Sequence, residues 1–179
     1  MRALLLLFGF WISLAASAQV VSEHDMKAAY LYNFAHLFEW PESRRANFHI
    51  CILGDEELGA AMQGYDEKRV NGQRMVIARL STTTPIRLCD ILYVGAAEVG
   101  NLPKIRSMLG GLPTLTVADM VPLQSVAVML ALENKHLIFD VNLEHCERAN
   151  LKPRSTVLGL ARLVRKPADG EAKGAAVPR

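Results

Sequence analysis

The sequence lacks the short motifs that mark most enzyme active sites. It contains no G-x-S-x-G elbow, no H-E-x-x-H pair, no P-loop and no G-x-G-x-x-G turn. Its five histidines are scattered along the chain without the spacing of metal ligands. Because no nucleophile, base or metal set is visible, we expect a protein that is not an enzyme and that holds no metal and no cofactor.

An excess of charge of one sign is also missing. The chain has 20 basic and 18 acidic residues. This balance provides neither a steering field for nucleic acid nor a polybasic patch for membranes. We therefore expect no nucleic-acid partner.

Long apolar runs are confined to the amino terminus. Arg2 precedes an apolar stretch over residues 3–14, and an Ala-x-Ala pattern follows at 16–18. The stretch is too short to cross a bilayer, so the pattern predicts a secretory signal peptide over residues 1–18. We expect an exported, soluble protein with one domain over residues 19–165 and a disordered tail over 166–179.

Cysteine is scarce, and none of the three cysteines lies in a C-x-x-C or zinc-finger spacing. In an oxidising compartment two of them are expected to pair, which leaves one over. Cys51 and Cys89 lie in two apolar segments, and if these are neighbouring strands the residues can approach to disulfide distance. Cys146 lies among charged residues on a predicted helix, and we interpret it as a spare thiol.

The aromatic segment 25–41 is the stretch against which the rest of the chain is expected to pack. Its apolar residues recur with helical spacing, which places Phe34 on the predicted core face and Ala28 and Ala35 on the opposite face. Ser22 provides a capping signal before the helix, and the proline at the end of the segment stops it.

Apolar segments then alternate with helical or loop segments. Strands are predicted at residues 48–53, 74–80, 89–94 and 114–117, and helices at 56–63 and 102–109. This rhythm is typical of βαβ units with right-handed crossovers.

The last third of the chain has a different pattern. Residues 126–132 and 136–141 predict an antiparallel hairpin. Two helices are predicted after it, one from Asn142 to about residue 150 and one that follows residues 153–155 and includes 157–164. The predicted fold is thus a single α/β domain with a mostly parallel β-sheet, an antiparallel hairpin and helices on both faces.

Six segments stand out when they are taken together. They are KAAYLYNF at 27–34 with FEWP at 38–41, CILGD at 51–55, CDILY at 89–93, LTVAD at 115–119, FDVNL at 139–143 and LGLA at 158–161. In this order they resemble the YfiR family of bacterial periplasmic regulators. The resemblance covers about residues 27–165.

The resemblance implies a mostly parallel sheet with flanking helices, usually in a homodimer, and a role without chemistry. Family members bind the periplasmic sensor domain of an inner-membrane diguanylate cyclase and hold the enzyme inactive. An outer-membrane lipoprotein that binds peptidoglycan can sequester the repressor, after which cyclic di-GMP rises and favours biofilm formation. The resemblance also implies that Cys51 and Cys89 form the family's disulfide, in a periplasmic protein.

Two places depart from the family pattern. Residues 123–125 (LQS) stand where many relatives have a Gly-Gly pair, and Cys146 stands where relatives often have a small residue such as alanine. Once Cys51 and Cys89 have paired, the second disulfide of some relatives cannot form within this chain.

Aromatic and polar residues near the ends of predicted elements mark the expected partner-binding surface. They are Trp40, Pro41 and Arg44 after the first helix, and Phe139, Asp140 and Asn142 at the hairpin-to-helix junction. Core packing of Phe139 and helix capping by Asn142 are the competing interpretations.

A small-ligand-binding module is the alternative function. The carboxyl ends of parallel strands form a crevice, which lies here near Gly54, Asp55, Gly95 and Asp119. The aromatic end of the first helix, followed by two arginines, would suit an aromatic or anionic compound. The competing interpretation is that the two aspartates cap the segments that follow them.

Overall fold

The computed structural model describes residues 21–41 and 45–167. The predicted signal peptide, most of the predicted tail and Arg44 lie outside these residues, so the predicted limits of the domain stay predictions. Five α-helices lie within the described ranges: Glu23–Leu37 (α1), Glu56–Ala61 (α2), Leu102–Leu109 (α3), Leu143–Arg148 (α4) and Ser155–Leu160 (α5).

Ten strands belong to two sheets in the same part of the chain. They are Phe38–Glu39 (β1), Asn47–Leu53 (β2), Arg69–Val70 (β3), Gln73–Leu80 (β4), Ile91–Val94 (β5), Leu115–Asp119 (β6), Val128–Glu133 (β7), His136–Asn142 (β8), Lys152–Pro153 (β9) and Leu163–Arg165 (β10). The main sheet has the order β10-β8-β7-β6-β5-β2-β4-β3, and β1 pairs with β9 in the small sheet.

Most neighbours in the main sheet are parallel. Strands β4, β2, β5, β6 and β7 run in one direction, β7 and β8 form the antiparallel hairpin, and β10 lies parallel to β8. The predicted α/β fold with a mostly parallel sheet is therefore confirmed.

The sheet separates two hydrophobic cores. Along β2, Ile50 and Ile52 point to the core under α1, whereas Cys51 and Leu53 point to the core under α3. Successive side chains of a strand point to opposite faces, so a continuously apolar strand contributes to both cores. Helices lie on both faces of the sheet, as predicted.

Helix α1 begins as predicted but ends earlier. The backbone amide of Asp25 donates to the Ser22 hydroxyl at 3.0 Å, which caps the first turn. The helix stops at Leu37 because the next two residues pair with β9 as strand β1. The helix therefore ends before the stop that Pro41 predicts at Trp40.

The buried face of α1 also differs from the prediction. Ala28 and Ala35 were expected to face away from the core, yet they are 1% and 0% exposed. Small side chains let a helix backbone lie close to the sheet, while Tyr30 and Leu37 extend along the flanks of the contact and are half-buried. Phe34 lies in the core as predicted.

The predicted final helix, which follows residues 153–155 and includes 157–164, is only half correct. Helix α5 ends at Leu160, and β10 then joins the main sheet as an edge strand. The backbone amide of Arg162 donates to the Phe139 carbonyl at 2.9 Å and so aligns the chain with β8. Within the described residues, no helix is long and apolar enough to cross a membrane.

Candidate partner-binding surfaces and the disulfide

The disulfide joins the loop before β5 to the middle of β2. Cys51 and Cys89 are 5.8 Å apart between their Cα atoms, within the usual range for a disulfide. Both residues are buried in the core under α3. The pairing implied by the family resemblance is therefore present in the structure, and it closes a loop that contains α2, β3 and β4.

A buried carboxylate lies beside the disulfide. Asp90 accepts hydrogen bonds from the His49 backbone amide at 2.8 Å and from the Arg45 guanidinium at 2.6 Å. Burial raises the pKa of Asp90, and the His49 amide and the Arg45 charge oppose this rise. These contacts hold the entrance of β2 against the start of β5, next to the disulfide.

The predicted corner at Trp40 and Pro41 is half-buried. The Trp40 indole Nε1 donates to the Ala35 carbonyl at 3.1 Å, and its ring packs edge-to-face on Phe48 with centroids 4.9 Å apart. Trp40 therefore anchors the end of α1 to β2. Its contact with a partner stays a prediction, and Arg44 lies outside the described residues.

Phe139 lies inside the core under α1. Its ring centroid is 5.7 Å from that of Tyr30 and 5.3 Å from that of Phe34, and both contacts are edge-to-face. The residue is 4% exposed. Core packing, the competing interpretation, describes its position.

Asp140 and Asn142 are buried and have internal roles. Asp140 accepts a two-pronged hydrogen bond from the Arg162 guanidinium, with Nε at 2.9 Å from Oδ1. Asn142 caps α4, because its Oδ1 accepts from the Glu144 amide at 3.1 Å, and its Nδ2 donates to the Leu123 carbonyl. Their predicted role toward a partner is not tested by these contacts, but any such role must act through the surface that they hold in place.

The predicted crevice at the carboxyl edge of the sheet is closed between β2 and β5. A Cβ on Gly95 would lie 2.3 Å from the Gly54 carbonyl oxygen, so the two loops touch through their backbones. Asp55 caps α2, because its Oδ1 accepts from the Leu58 amide at 2.8 Å. Capping by Asp55, the competing interpretation, is therefore correct.

Asp119 is part of a buried polar cluster and does not cap a helix. Its Oδ2 accepts from the Tyr93 hydroxyl at 2.8 Å and forms an ion pair with Lys27 Nζ, which also contacts Glu23 at 2.6 Å. Burial lowers the pKa of Lys27, but the hydrogen bonds to Asp119 and Glu23 outweigh burial, so the net pKa is raised. Burial and the neighbouring Asp119 charge raise the pKa of Tyr93 far above its usual value. The cluster therefore holds the Lys27 ammonium between two carboxylates, and the Tyr93 hydroxyl donates to one of them.

Comparison with known protein families identifies one family that matches this chain. The model of the YfiR/HmsC-like family matches residues 24–162. The chain belongs to the YfiR/HmsC-like family. A comparison with curated proteins finds no match.

The YfiR/HmsC-like match spans the sheet from α1 to the residue before β10. It includes both disulfide cysteines and five of the six predicted contact residues within the described chain. No group of three or more His, Cys, Asp and Glu side chains in residues 21–41 and 45–167 has a geometry that would hold a metal ion.

Sequence reasoning missed the edge of the sheet formed by β10. Strand β10 is the outermost strand of the main sheet. It begins with Leu163, which is 53% exposed, and follows Leu160, which is 66% exposed at the end of α5. Arg162 fixes this edge to Asp140 and also forms an ion pair with Glu133. An apolar, unpaired edge strand readily adds a strand of another chain. Leu160, Leu163 and Val164 also fit the spacing of a helix, so the sequence predicts a helix here and gives no signal for the strand.

Proposed function

We propose that this protein is a non-catalytic periplasmic regulator. It binds the periplasmic sensor domain of a membrane-bound diguanylate cyclase and holds the enzyme inactive, which lowers cyclic di-GMP and restrains biofilm formation. Membership of the YfiR/HmsC-like family over residues 24–162 is the observation that carries this proposal. The disulfide agrees with it, because disulfides persist in oxidising compartments such as the periplasm.

The mechanism that we propose is a population shift. The regulator binds the inactive arrangement of the sensor domain more tightly than the active one, and the inactive arrangement then prevails. A ligand that binds both arrangements equally would shift nothing. Sequestration by an outer-membrane peptidoglycan-binding lipoprotein would remove the regulator and release the cyclase.

We place the contact with the cyclase at the β10 edge. Leu160 and Leu163 supply exposed apolar surface there, and the free backbone edge of β10 can pair with a strand of the partner. Asp140 contributes by holding Arg162, and thus β10, in register with β8. A homodimer is the other assembly that this family implies, and the same edge is available to a second copy.

The test is repression of the cyclase in cells that contain it. The double variant Leu160→Asp with Leu163→Asp should raise cyclic di-GMP to the level of cells without the regulator, because charge on an apolar contact prevents burial. Leu88→Asp is the matched control, since Leu88 is 60% exposed but lies before β5, away from β10. Melting temperatures of the variants exclude unfolding as the cause.

Two results would contradict parts of the proposal. Full repression by the double variant would remove the β10 edge as the contact. Failure of the purified wild-type protein to bind the sensor domain would remove the regulatory function itself. Gel filtration of the same variants shows whether the edge instead joins two copies of this chain.

A small-ligand-binding module is the second candidate function. A groove of about 410 Å³ lies beside the carboxyl ends of β2 and β4, lined by Asp55, Arg79 and Glu98 among others. A thermal-shift screen separates this candidate from the first, because a true ligand raises the melting temperature in proportion to ln(1 + [L]/Kd).

A further inference from the structure

A second groove lies between α3 and α4. It has a volume of about 580 Å³, which is the size typical of small-molecule sites. Arg106, Arg148 and Arg165 line it together with one carboxylate, Glu144. Three positive charges and one negative charge leave an excess of two positive charges facing one concavity.

The three arginines are only partly neutralised by their neighbours. Arg148 Nη2 lies 3.2 Å from Glu144 Oε1 in an exposed ion pair, and Arg165 Nη1 reaches the Gln124 amide oxygen at 3.5 Å. The guanidinium of Arg106 makes no hydrogen bond and no ion pair with any residue that the structure describes. Like charges around one concavity repel one another, so the site favours an anion that neutralises them.

The wall of the groove is fixed by buried polar contacts. The Asn142 amide donates to the Leu123 carbonyl at 3.0 Å, and His145 Nε2 donates to the Gln124 carbonyl at 2.9 Å. These bonds hold the 3₁₀ turn Leu123–Ser125, which replaces the Gly-Gly pair expected from the family, against the first turn of α4. A pre-formed wall reduces the ordering cost of binding.

A separate chamber of about 40 Å³ shares Arg106, Gly110 and Arg148 with the groove. Thr116, Ser125 and His145 also line this chamber. Burial lowers the pKa of His145, and the Arg148 and Arg106 charges lower it further. His145 is therefore neutral at pH 7, and both guanidinium groups lie close enough to act on its ring. His145 Nε2 already donates to the Gln124 carbonyl, and Thr116 Oγ1 accepts from the Ala127 amide. The arginines are therefore the groups that carry the proposed anion recognition.

We propose that this groove binds a small anionic molecule through a phosphate or carboxylate group held by Arg106, Arg148 and Arg165. The guanidinium fork matches the paired oxygens of these groups, which makes arginine the usual residue for such recognition. The volume of the groove is in the range that accommodates a small molecule. Arg165 belongs to β10, so the groove adjoins the proposed β10 contact. The inference itself does not depend on the proposed regulatory function.

The test uses the purified protein with two probes, pyrophosphate and citrate, followed by calorimetry at constant ionic strength. Wild type should bind at least one probe, with affinity that falls as salt is added. Arg106→Gln should weaken binding about tenfold or more, because a hydrogen bond to a charged group is lost. Lys104→Gln is the matched control: it removes the same charge from the exposed side of α3, outside the groove, and should change the Kd less than twofold.

Arg165→Gln gives an independent second variant from another element, and the melting temperatures without probe show that each variant is folded. Amide NMR shifts on titration should be confined to residues that line the groove, such as Ser107, Gly110 and Gln124. The proposal is overturned if neither probe binds wild type at millimolar concentration, or if Lys104→Gln weakens binding as much as Arg106→Gln. Shifts centred elsewhere, or binding of an acidic peptide without binding of either small probe, overturn it as well.

Discussion

The two faces of the sheet are built in different ways. The core under α1 is aromatic: Tyr30, Phe34, Phe38 and Phe139 form a chain of edge-to-face contacts with centroids 5.3 to 6.0 Å apart. The core under α3 has no aromatic side chain among the described residues, and its members are aliphatic apart from the disulfide. One face thus relies on large rings and a long helix, and the other on shorter elements and a covalent bond.

This difference indicates which face of the sheet stabilises the fold and which face borders a groove. Aromatic side chains bury the most area per residue and add specific contacts. The α3 face has less of this packing, and it contains the disulfide between Cys51 and Cys89. The arginine groove lies beside α3. We infer that the aromatic core under α1 provides most of the stability, while the arginine groove lies beside the face that contains the disulfide.

Truncation of the aromatic core should have the largest effect. Phe34→Ala is expected to lower the free energy of unfolding by about 4 kcal/mol, because it removes a fully buried ring and leaves a cavity. Urea unfolding measures this loss. Asn33→Ala is the control, since Asn33 is the exposed neighbour on the same helix and should change stability by less than about 0.5 kcal/mol. Equal losses of unfolding free energy in both variants would show that the buried ring of Phe34 does not stabilise the aromatic face.

Removal of the disulfide should have the next largest effect. Cys51→Ala with Cys89→Ala is expected to lower the free energy of unfolding by about 3–4 kcal/mol, because the 38-residue separation gives the unfolded chain a large closed loop. Reductant should destabilise wild type by a similar amount and leave the double variant unchanged. If the α3 face were stable without the bond, both the variant and the reduced protein would unfold like wild type.

The same double variant tests whether the bond also matters for repression of the cyclase. If the sensor domain recognises the geometry of the sheet, looser pairing of β2 with β5 would lower the affinity of the regulator for that domain. Repression that is unchanged in a folded variant would show that the disulfide is structural alone.

Local pattern in the sequence was enough for the elements that contact their neighbours along the chain. Helix α3 was predicted at residues 102–109 and is observed at Leu102–Leu109, because Pro103 and the Gly-Gly pair after it punctuate the helix. The hairpin of β7 and β8 was predicted from two apolar runs joined by a short polar turn. The parallel direction of most strands is predicted by the alternation of strands and helices along the chain.

Pairing between distant segments was not visible in the sequence. Strand β1 exists only because Phe38–Glu39 meets Lys152–Pro153, more than a hundred residues later. Strand β10 has a sequence that also suits a helix, and its pairing with β8 decided the outcome. The arginines of the groove are at positions 106, 148 and 165, so only the tertiary fold brings them together. Tertiary contacts override local propensity in such segments.

The Lys27 cluster under α1 should give a smaller, pH-dependent effect. Since the folded protein raises the pKa of Lys27, its contribution is complete below the ordinary lysine pKa of about 10.4 and is lost as pH rises through the folded value. Lys27→Met should cost about 2 kcal/mol at neutral pH, because Asp119 stays partly buried without its cation. The variant should also lose less stability than wild type in alkaline solution. Lys104→Met, on the exposed side of α3, should keep the wild-type pH dependence.

The smallest effect is expected for thiol labelling of Cys146, the cysteine outside the disulfide. It lies in the core under α1, whereas the bonded pair lies in the core under α3. Cys146 lies 0% exposed in the core under α1, and burial raises its pKa to about 12. A thiol reagent at pH 8 should therefore label no cysteine in the native protein. It should label one in denaturant, and three once a reductant has opened the disulfide. Labelling of native Cys146 would show that the aromatic face opens more readily than the face that contains the disulfide. This result would contradict the inference that the aromatic face provides most of the stability.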